Sequence, residues 1–297
     1  MPLRIGTAEA DSTFLTQGLA LKAVLDRVAS LRPVDVLTSP HASIENANRL
    51  HAREIDFGFM AANWIGRAKA GEAPFTHPID LRTAAPMNAG PLFFIARADA
   101  RLRSVADLRG KRVAVGPQAS GMAQHARTIF GALGMRDVTP VHLDFAAGAN
   151  ALAAGEVDAQ LQCPIPNKVM TALSERIAVR VLPYGPGQLD SVLAAGPDYR
   201  PTVMRRGAIR GLDTDIAQVA VVNVLVTHAD ASEATVHAAV GAIVAAADEL
   251  GRLNPLFAGL AEQFQPLRSK GAACLEFGGV RLHPGAIAAY RAAGLMK

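Results

Sequence analysis

Cysteine, aromatic side chains and long apolar runs are all scarce in this 297-residue chain. The two cysteines, Cys163 and Cys274, lie far apart in sequence, which excludes a disulfide framework. They read as separate buried thiols, with a single bridge left open. Aromatic residues make up only 5% of the chain, so there is little on which to stack bases. The net charge of +4 comes from scattered Lys and Arg, and the densest cluster, Arg97–Arg112, is interrupted by Asp99 and Asp107. That is not a nucleic-acid stripe, and no nucleic-acid partner is expected. No apolar run approaches the ~18–20 residues that span a bilayer. The opening MPLRIGTAEAD lacks the apolar segment of a signal peptide, which leaves two readings: a trimmed leader or a cytoplasmic chain. His41, His51, His77 and His125 show no HExxH spacing, and there is no GxSxG elbow, GxxxxGK[ST] loop or GxGxxG triplet. No cofactor, metal or catalytic set is expected.

What is present is an ordinary globular composition, half hydrophobic, long enough for two domains of about 150 residues. The stretch Ser104–Phe130 organises it. Val113-Ala114-Val115 reads as a buried strand, Gly116–Gly121 breaks it, and Met122, Ala126, Ile129, Phe130 and Leu133 recur at helical spacing. A strand entering a helix through such a loop leaves the first helical N–H groups unpaired at the positive end of the helix dipole. A small anion is therefore expected against Ser120 and Gly121. The same residues also serve as an N-cap and a flexible turn whether or not anything binds.

Elsewhere strands alternate with helices, the pattern of parallel βαβ units whose functional loops follow the carboxyl ends of the strands. Arg4–Ala8, Val34–Leu37 and Ile55–Met60 read as strands. The first helix carries Leu21, Val24, Leu25 and Val28 and ends at Arg32-Pro33. The segment Ala47–Asp56 aligns without gaps on Ala149–Asp158, with six of ten positions identical. Two similar α/β lobes are the economical account. Leu92–Ala96 suits a crossing from lobe one to lobe two, and Val219–Thr227 a crossing back. Helices Ser232–Leu250 and Pro255–Phe264 follow, and Gly- and Pro-rich Pro183–Arg210 reads as irregular. The expected domains are 1–92, 93–220 and a return over 221–297. The fold class is α/β: two lobes, each a parallel-type sheet flanked by helices, hinged by two crossings, with ligand in the cleft.

Over nearly the whole chain these residues carry a family resemblance. Leu108–Pro117 followed by Ser120-Gly121 resembles the second-lobe opening of type II periplasmic solute-binding proteins. Val141–Ala146 with Gly155–Ala159, and the closing Leu282–Ile287 with Tyr290, resemble more narrowly the TAXI branch, the solute receptors of TRAP transporters. The resemblance implies a monomeric extracytoplasmic receptor that closes over a small organic acid or amino acid, often glutamate, and hands it to the permease subunits of a TRAP transporter. A departure lies in the first loop, Ala8–Phe14, where the acidic Glu9 and Asp11 repel a dianion and favour a monocarboxylate or aromatic acid. The leaderless start is the other departure.

The candidate ligand-binding residues follow from the loops. Ser120, Gly121, Gln118 and Ala119 form the anion loop. Ser12 and Thr13 face the cleft from lobe one, or only cap the first helix. Asn63 and Trp64 follow the third strand, where Trp64 either stacks on the ligand or packs a helix. Gln162 and Cys163 hold the equivalent place in lobe two, and Cys163 reads as a small buried residue rather than a nucleophile. His283-Pro284-Gly285 reads as the start of the last helix. Glu54-Asp56 and Glu156-Asp158 resemble catalytic carboxylate pairs but stand where strands begin, which makes them turn residues. The alternative function is a cytoplasmic lyase or decarboxylase of the same fold, with Asp11 or Asp144 as its acid or base.

Overall fold

The computed structural model describes residues 2–297 apart from 11, 40, 119 and 197. The chain forms two compact units, Met1–Asn88 with Val222–Lys297, and Ala89–Val221. Unit one opens with β1 (Leu3–Gly6), α1 (Thr13–Leu25), β2 (Val34–Leu37), α2 (Ala42–His51), β3 (Phe57–Ala61) and α3 (Ala62–Ala70), then enters β4 (Leu81–Arg97). Unit two holds β5 (Arg112–Ala114), α4 (Gly121–Ala132), β6 (Thr139–Val141), α5 (Phe145–Ala154), β7 (Ala159–Gln162) and α6 (Lys168–Arg176). It continues through β8 (Val179–Leu182), α7 (Gln188–Ala195) and β9 (Tyr199–Met204) into β10 (Ile216–His228). The chain then returns to unit one as α8 (Glu233–Ala245), α9 (Ala247–Leu253), α10 (Leu260–Phe264), α11 (Leu267–Lys270) and α12 (Pro284–Ala292).

In unit one, β2, β1 and β3 run parallel and β10 pairs antiparallel with β3, Leu225 opposite Phe59. Apolar side chains of the strands, Ile5, Phe57 and Phe59, meet Leu21 and Leu25 of α1 and Val236 and Val240 of α8 in one core. Tyr290 of α12 is wholly buried there, and its hydroxyl donates to the Ala84 carbonyl at 2.9 Å. In unit two, β7, β5 and β6 run parallel, while β4 lies antiparallel to β7 on one edge and to β8 on the other. Phe93, Ile95, Ala114, Leu152, Met170 and Val181 form the core of one face, and on the other Phe94 stacks on Phe130 of α4.

The internal repeat has a structural counterpart. The Asp56 carboxylate accepts from the Arg4 backbone N–H at 2.7 Å, and Asp158 does the same for Arg112 at 2.8 Å. In each case the partner's carbonyl accepts from the aspartate N–H in return. The turn before each aspartate holds a left-handed residue at the same alignment position, Arg53 at φ 60° and Gly155 at φ 76°. Glu54 and Glu156 likewise donate their N–H groups to equivalent helix carbonyls, Arg49 and Ala151. The acidic pairs are corner residues that pin a strand's amino end to the preceding helix, in both units.

Some expectations are corrected. The first helix stops at Leu25, not Arg32, because the Asp26 carboxylate takes the Val34 N–H at 2.8 Å and the Lys22 ammonium, turning the chain early. Pro183–Arg210 is not irregular throughout: it contains α7, and β9 pairs with β10 from Tyr199–Val221 to Met204–Ile216. A tertiary partner sets that strand, which places Pro201 within it and leaves little sign in local sequence. The strand expected at Leu92–Ala96 is the end of a 17-residue one. Ser232–Leu250 breaks at Ala246, where α8 and α9 bend by 70°. Among the described residues no single helix is long and apolar enough to cross a membrane. Neither Cys163 nor Cys274 is in a disulfide.

Candidate functional site

Every strand-to-helix passage in the parallel part of unit two ends in a helix capped by its own sequence. The Ser120 hydroxyl accepts from the Ala123 N–H at 3.2 Å, Asp144 from Ala147 at 2.7 Å, and Asn167 from Met170 at 2.8 Å. Three helix N-termini therefore lie at the carboxyl ends of β5, β6 and β7. Each cap satisfies one donor, and the remaining first-turn N–H groups have no acceptor within the helix. At Ser120 the oxygen is the acceptor for Ala123, so the hydroxyl proton remains to be donated. Gly121, whose N–H opens the helix, is half-buried.

Gly116 allows this loop to close. Its φ is 82°, and a Cβ there would lie 3.0 Å from Ser120 Oγ, 3.1 Å from Met122 Cβ and 3.5 Å from Phe145 Cε1. Both the backbone angle and the space require glycine. His142 Nδ1 sits 3.2 Å from the Gly116 carbonyl, and Ser120 N–H donates to Pro117 across a tight turn. Gln118 at the turn's tip is exposed, and Ala119 lies outside the described residues.

Behind this loop, Gln160 and Gln162 point to the same face of β7 as Phe93 and Ile95, their register partners on β4. Gln160 donates its amide to the Phe145 carbonyl at 2.9 Å. Gln162 lies two residues nearer the carboxyl end, only 2% exposed, and its amide nitrogen has no hydrogen-bond partner among the described residues. A buried donor left unmade is costly, which marks this one as waiting for an acceptor. The Cys163 thiol donates to the Gly90 carbonyl at 3.6 Å, and burial pushes its pKa up to about 12. It is a protonated packing group and no nucleophile. On the face under α4, the Tyr199 hydroxyl meets His125 Nδ1 at 2.8 Å. Burial lowers the His125 pKa to about 4, so the ring meets Tyr199 in its neutral form. Tyr184, just past β8, has a buried hydroxyl without a partner among the described residues, and burial pushes it well above the ordinary phenol value.

Unit one has an equivalent set of loops. Ser12 caps α1 by accepting from Leu15 at 3.1 Å, and Thr13 is the helix's first residue. Asn46 ties the strand ends together: its amide donates to the Thr7 and Phe59 carbonyls, and its oxygen accepts from Ser39 at 2.7 Å. Gly6 makes room, since a Cβ there would come 2.4 Å from the Asn46 oxygen. Gln17 and Asn223 both donate to the Asn88 oxygen, at 3.3 and 3.0 Å, and the buried Gln17 oxygen has no partner among the described residues. Asn63 is half-buried in the first turn of α3. Trp64 is buried, edge-on to Phe75 at 6.3 Å with the Arg67 guanidinium 5.2 Å from its ring centre.

The structure thus gathers Ser120, Gly121, Gln118, Gln162 and Cys163 at one end of unit two, and Ser12, Thr13, Asn63 and Trp64 in unit one. Phe145, Tyr184, Asn46 and the Gln17–Asn88–Asn223 set add residues that local sequence did not single out. Asp11 lies outside the described residues, and the Asp144 carboxylate is occupied as a cap. Among the described residues no three His, Cys, Asp or Glu side chains are placed to hold a metal ion. A cavity of about 500 Å³ opens at the opposite end of unit two, near Arg176, Arg180 and Arg210. Glu175, Asp213 and the carbonyl end of α6 oppose those arginines.

The model of the NMT1-like family matches residues 5–294. Among solved structures, a TctC solute-binding protein from Polaromonas aligns at TM-score 0.56 and 17% identity, covering 88% of each chain. The periplasmic aliphatic sulphonate-binding protein SsuA of Escherichia coli aligns at 0.50 and 17%, covering all of this chain and 84% of its own. The GluR0 ligand-binding core of Nostoc punctiforme, solved with L-glutamate, aligns at 0.51 and 12%, over 87% of this chain and 99% of its own. At these identities the likeness is one of fold: an α/β fold with mixed strand pairing and flanking helices, as in periplasmic binding proteins.

Proposed function

The chain belongs to the NMT1-like family, and from that premise we propose that it is an extracytoplasmic solute receptor. It binds a small organic carboxylate at the carboxyl-end loops of its strands and delivers it to a membrane transporter of the TRAP type. The observation that carries the reading is the capped N-terminus of α4 at the carboxyl end of β5; at the carboxyl end of β7, a buried Gln162 amide also lacks a partner among the described residues. Free N–H groups and the dipole end make a site for one negative charge without a Lys or Arg in the loop. Against the lyase or decarboxylase alternative, the Asp144 carboxylate is taken up as a helix cap and the Cys163 thiol is protonated.

The test is titration calorimetry of the whole protein with a panel of monocarboxylates. Ser120→Ala should weaken the carboxylate that binds wild type by roughly ten- to a hundredfold, the scale of a hydrogen bond to a charged group. It should cost the unliganded protein only about 1 kcal/mol, as for a lost N-cap. The bound acid should be recovered unchanged after long incubation. Equal affinity in Ser120→Ala would move the anion site away from α4, and turnover would reinstate the enzyme.

A further inference from the structure

We propose that Phe145 sets the class of solute: a monocarboxylate with a flat apolar body, an aromatic acid, whose ring lies against the Phe145 ring. The inference rests on the receptor reading above and deepens it. Phe145 is 37% exposed, one of four large apolar side chains left open among the described residues. Of the four, it alone opens a helix at the carboxyl ends of the parallel strands in unit two. Its position relative to the anion loop is fixed by Gly116. A single Cβ-sized point above that glycine is 3.5 Å from the Phe145 ring and 3.0 Å from Ser120 Oγ. Ring and hydroxyl therefore both stand against Gly116 and are near neighbours.

The backbone that carries the ring is also held in place. Asp144 caps the helix that begins with Phe145, and Gln160 from β7 binds the Phe145 carbonyl at 2.9 Å. An exposed aromatic on an anchored backbone is a preorganised surface, which loses little freedom on binding. The charge pattern points the same way. The loops 116–120, 142–144 and 162–167 contain no Lys or Arg, and Lys168 follows only as the first residue of α6. One carboxylate suits the α4 N-terminus, where the Ser120 hydroxyl and the first N–H groups are neutral donors. A second carboxylate finds no guanidinium in these loops.

The experiment is titration calorimetry of the full chain with benzoate, acetate and glutamate as probes. Wild type should bind benzoate about tenfold or more tighter than acetate, the range expected when an aromatic pair adds to burial of the ring. Phe145→Ala should remove that preference and leave the weak acetate affinity intact, while Ser120→Ala should weaken benzoate and acetate alike. Phe145→Leu, which keeps bulk without a ring, should keep part of the preference, and thermal melts of each variant check folding. If benzoate gains nothing over acetate, or Phe145→Ala keeps the preference, the aromatic assignment falls while Ser120-dependent binding still supports the receptor. If no probe binds, or binding ignores Ser120, both are overturned.

Discussion

The carboxylate of Asp158 stands 2.8 Å from the backbone nitrogen of Arg112, and that contact is repeated in unit one by Asp56 and Arg4. In both units the corner lies at the amino ends of the strands, away from the capped loops.

Removing the corner should therefore affect stability and not recognition. Asp158→Ala is expected to lower the unfolding free energy by about 1.5 kcal/mol, the low end for a hydrogen bond to a charged group. Carboxylate affinity should be unchanged. Urea unfolding and calorimetry on the same variant check both halves, and a loss of affinity at native stability would contradict the separation.

His125 makes the protein acid-sensitive. Its folded pKa is near 4, against 6.5 for the free side chain, because burial penalises the charged ring. The unfolded chain thus takes up a proton first as pH falls. The sign is fixed: this stability is fully present above about pH 6.5 and drains away between about 6.5 and 4, reaching roughly 3 kcal/mol in all. Melting temperatures of wild type should fall across that interval more steeply than those of His125→Gln. Parallel slopes would mean that the ring is hydrated in solution.

Tyr184 separates stability from binding in the opposite sense. Its buried hydroxyl has no partner among the described residues. Tyr184→Phe should leave the unliganded protein as stable as before, or more stable by up to about 1 kcal/mol. At the same time it should weaken the solute whose oxygen completes that hydroxyl. A lower melting temperature would show that the group has a structural partner, and unchanged affinity would remove it from the site.

How much of this was legible beforehand varies with range in sequence. The Ser120 cap, the turn glycine before it and the capped last helix at His283-Pro284 are written in adjacent residues, and the structure places them where those residues imply. The corner residues were visible because they occur twice. Asn46 was not, since its meaning comes from Thr7, Ser39 and Phe59, which only the folded sheet brings within reach. Phe145 was hidden in the same way: an aromatic after an aspartate looks like the start of a core helix. Its exposure emerges only from its distance to Gly116.

The environment of Cys163 has an outcome for where such a chain can work. With a pKa near 12, roughly one molecule in 100,000 carries the thiolate at pH 7. Thiol–disulfide exchange proceeds through the thiolate, so this sulfur exchanges far more slowly than an ordinary cysteine. The carboxyl-end loop that holds Cys163 is expected to keep the same covalent form in an oxidising compartment as in a reducing one.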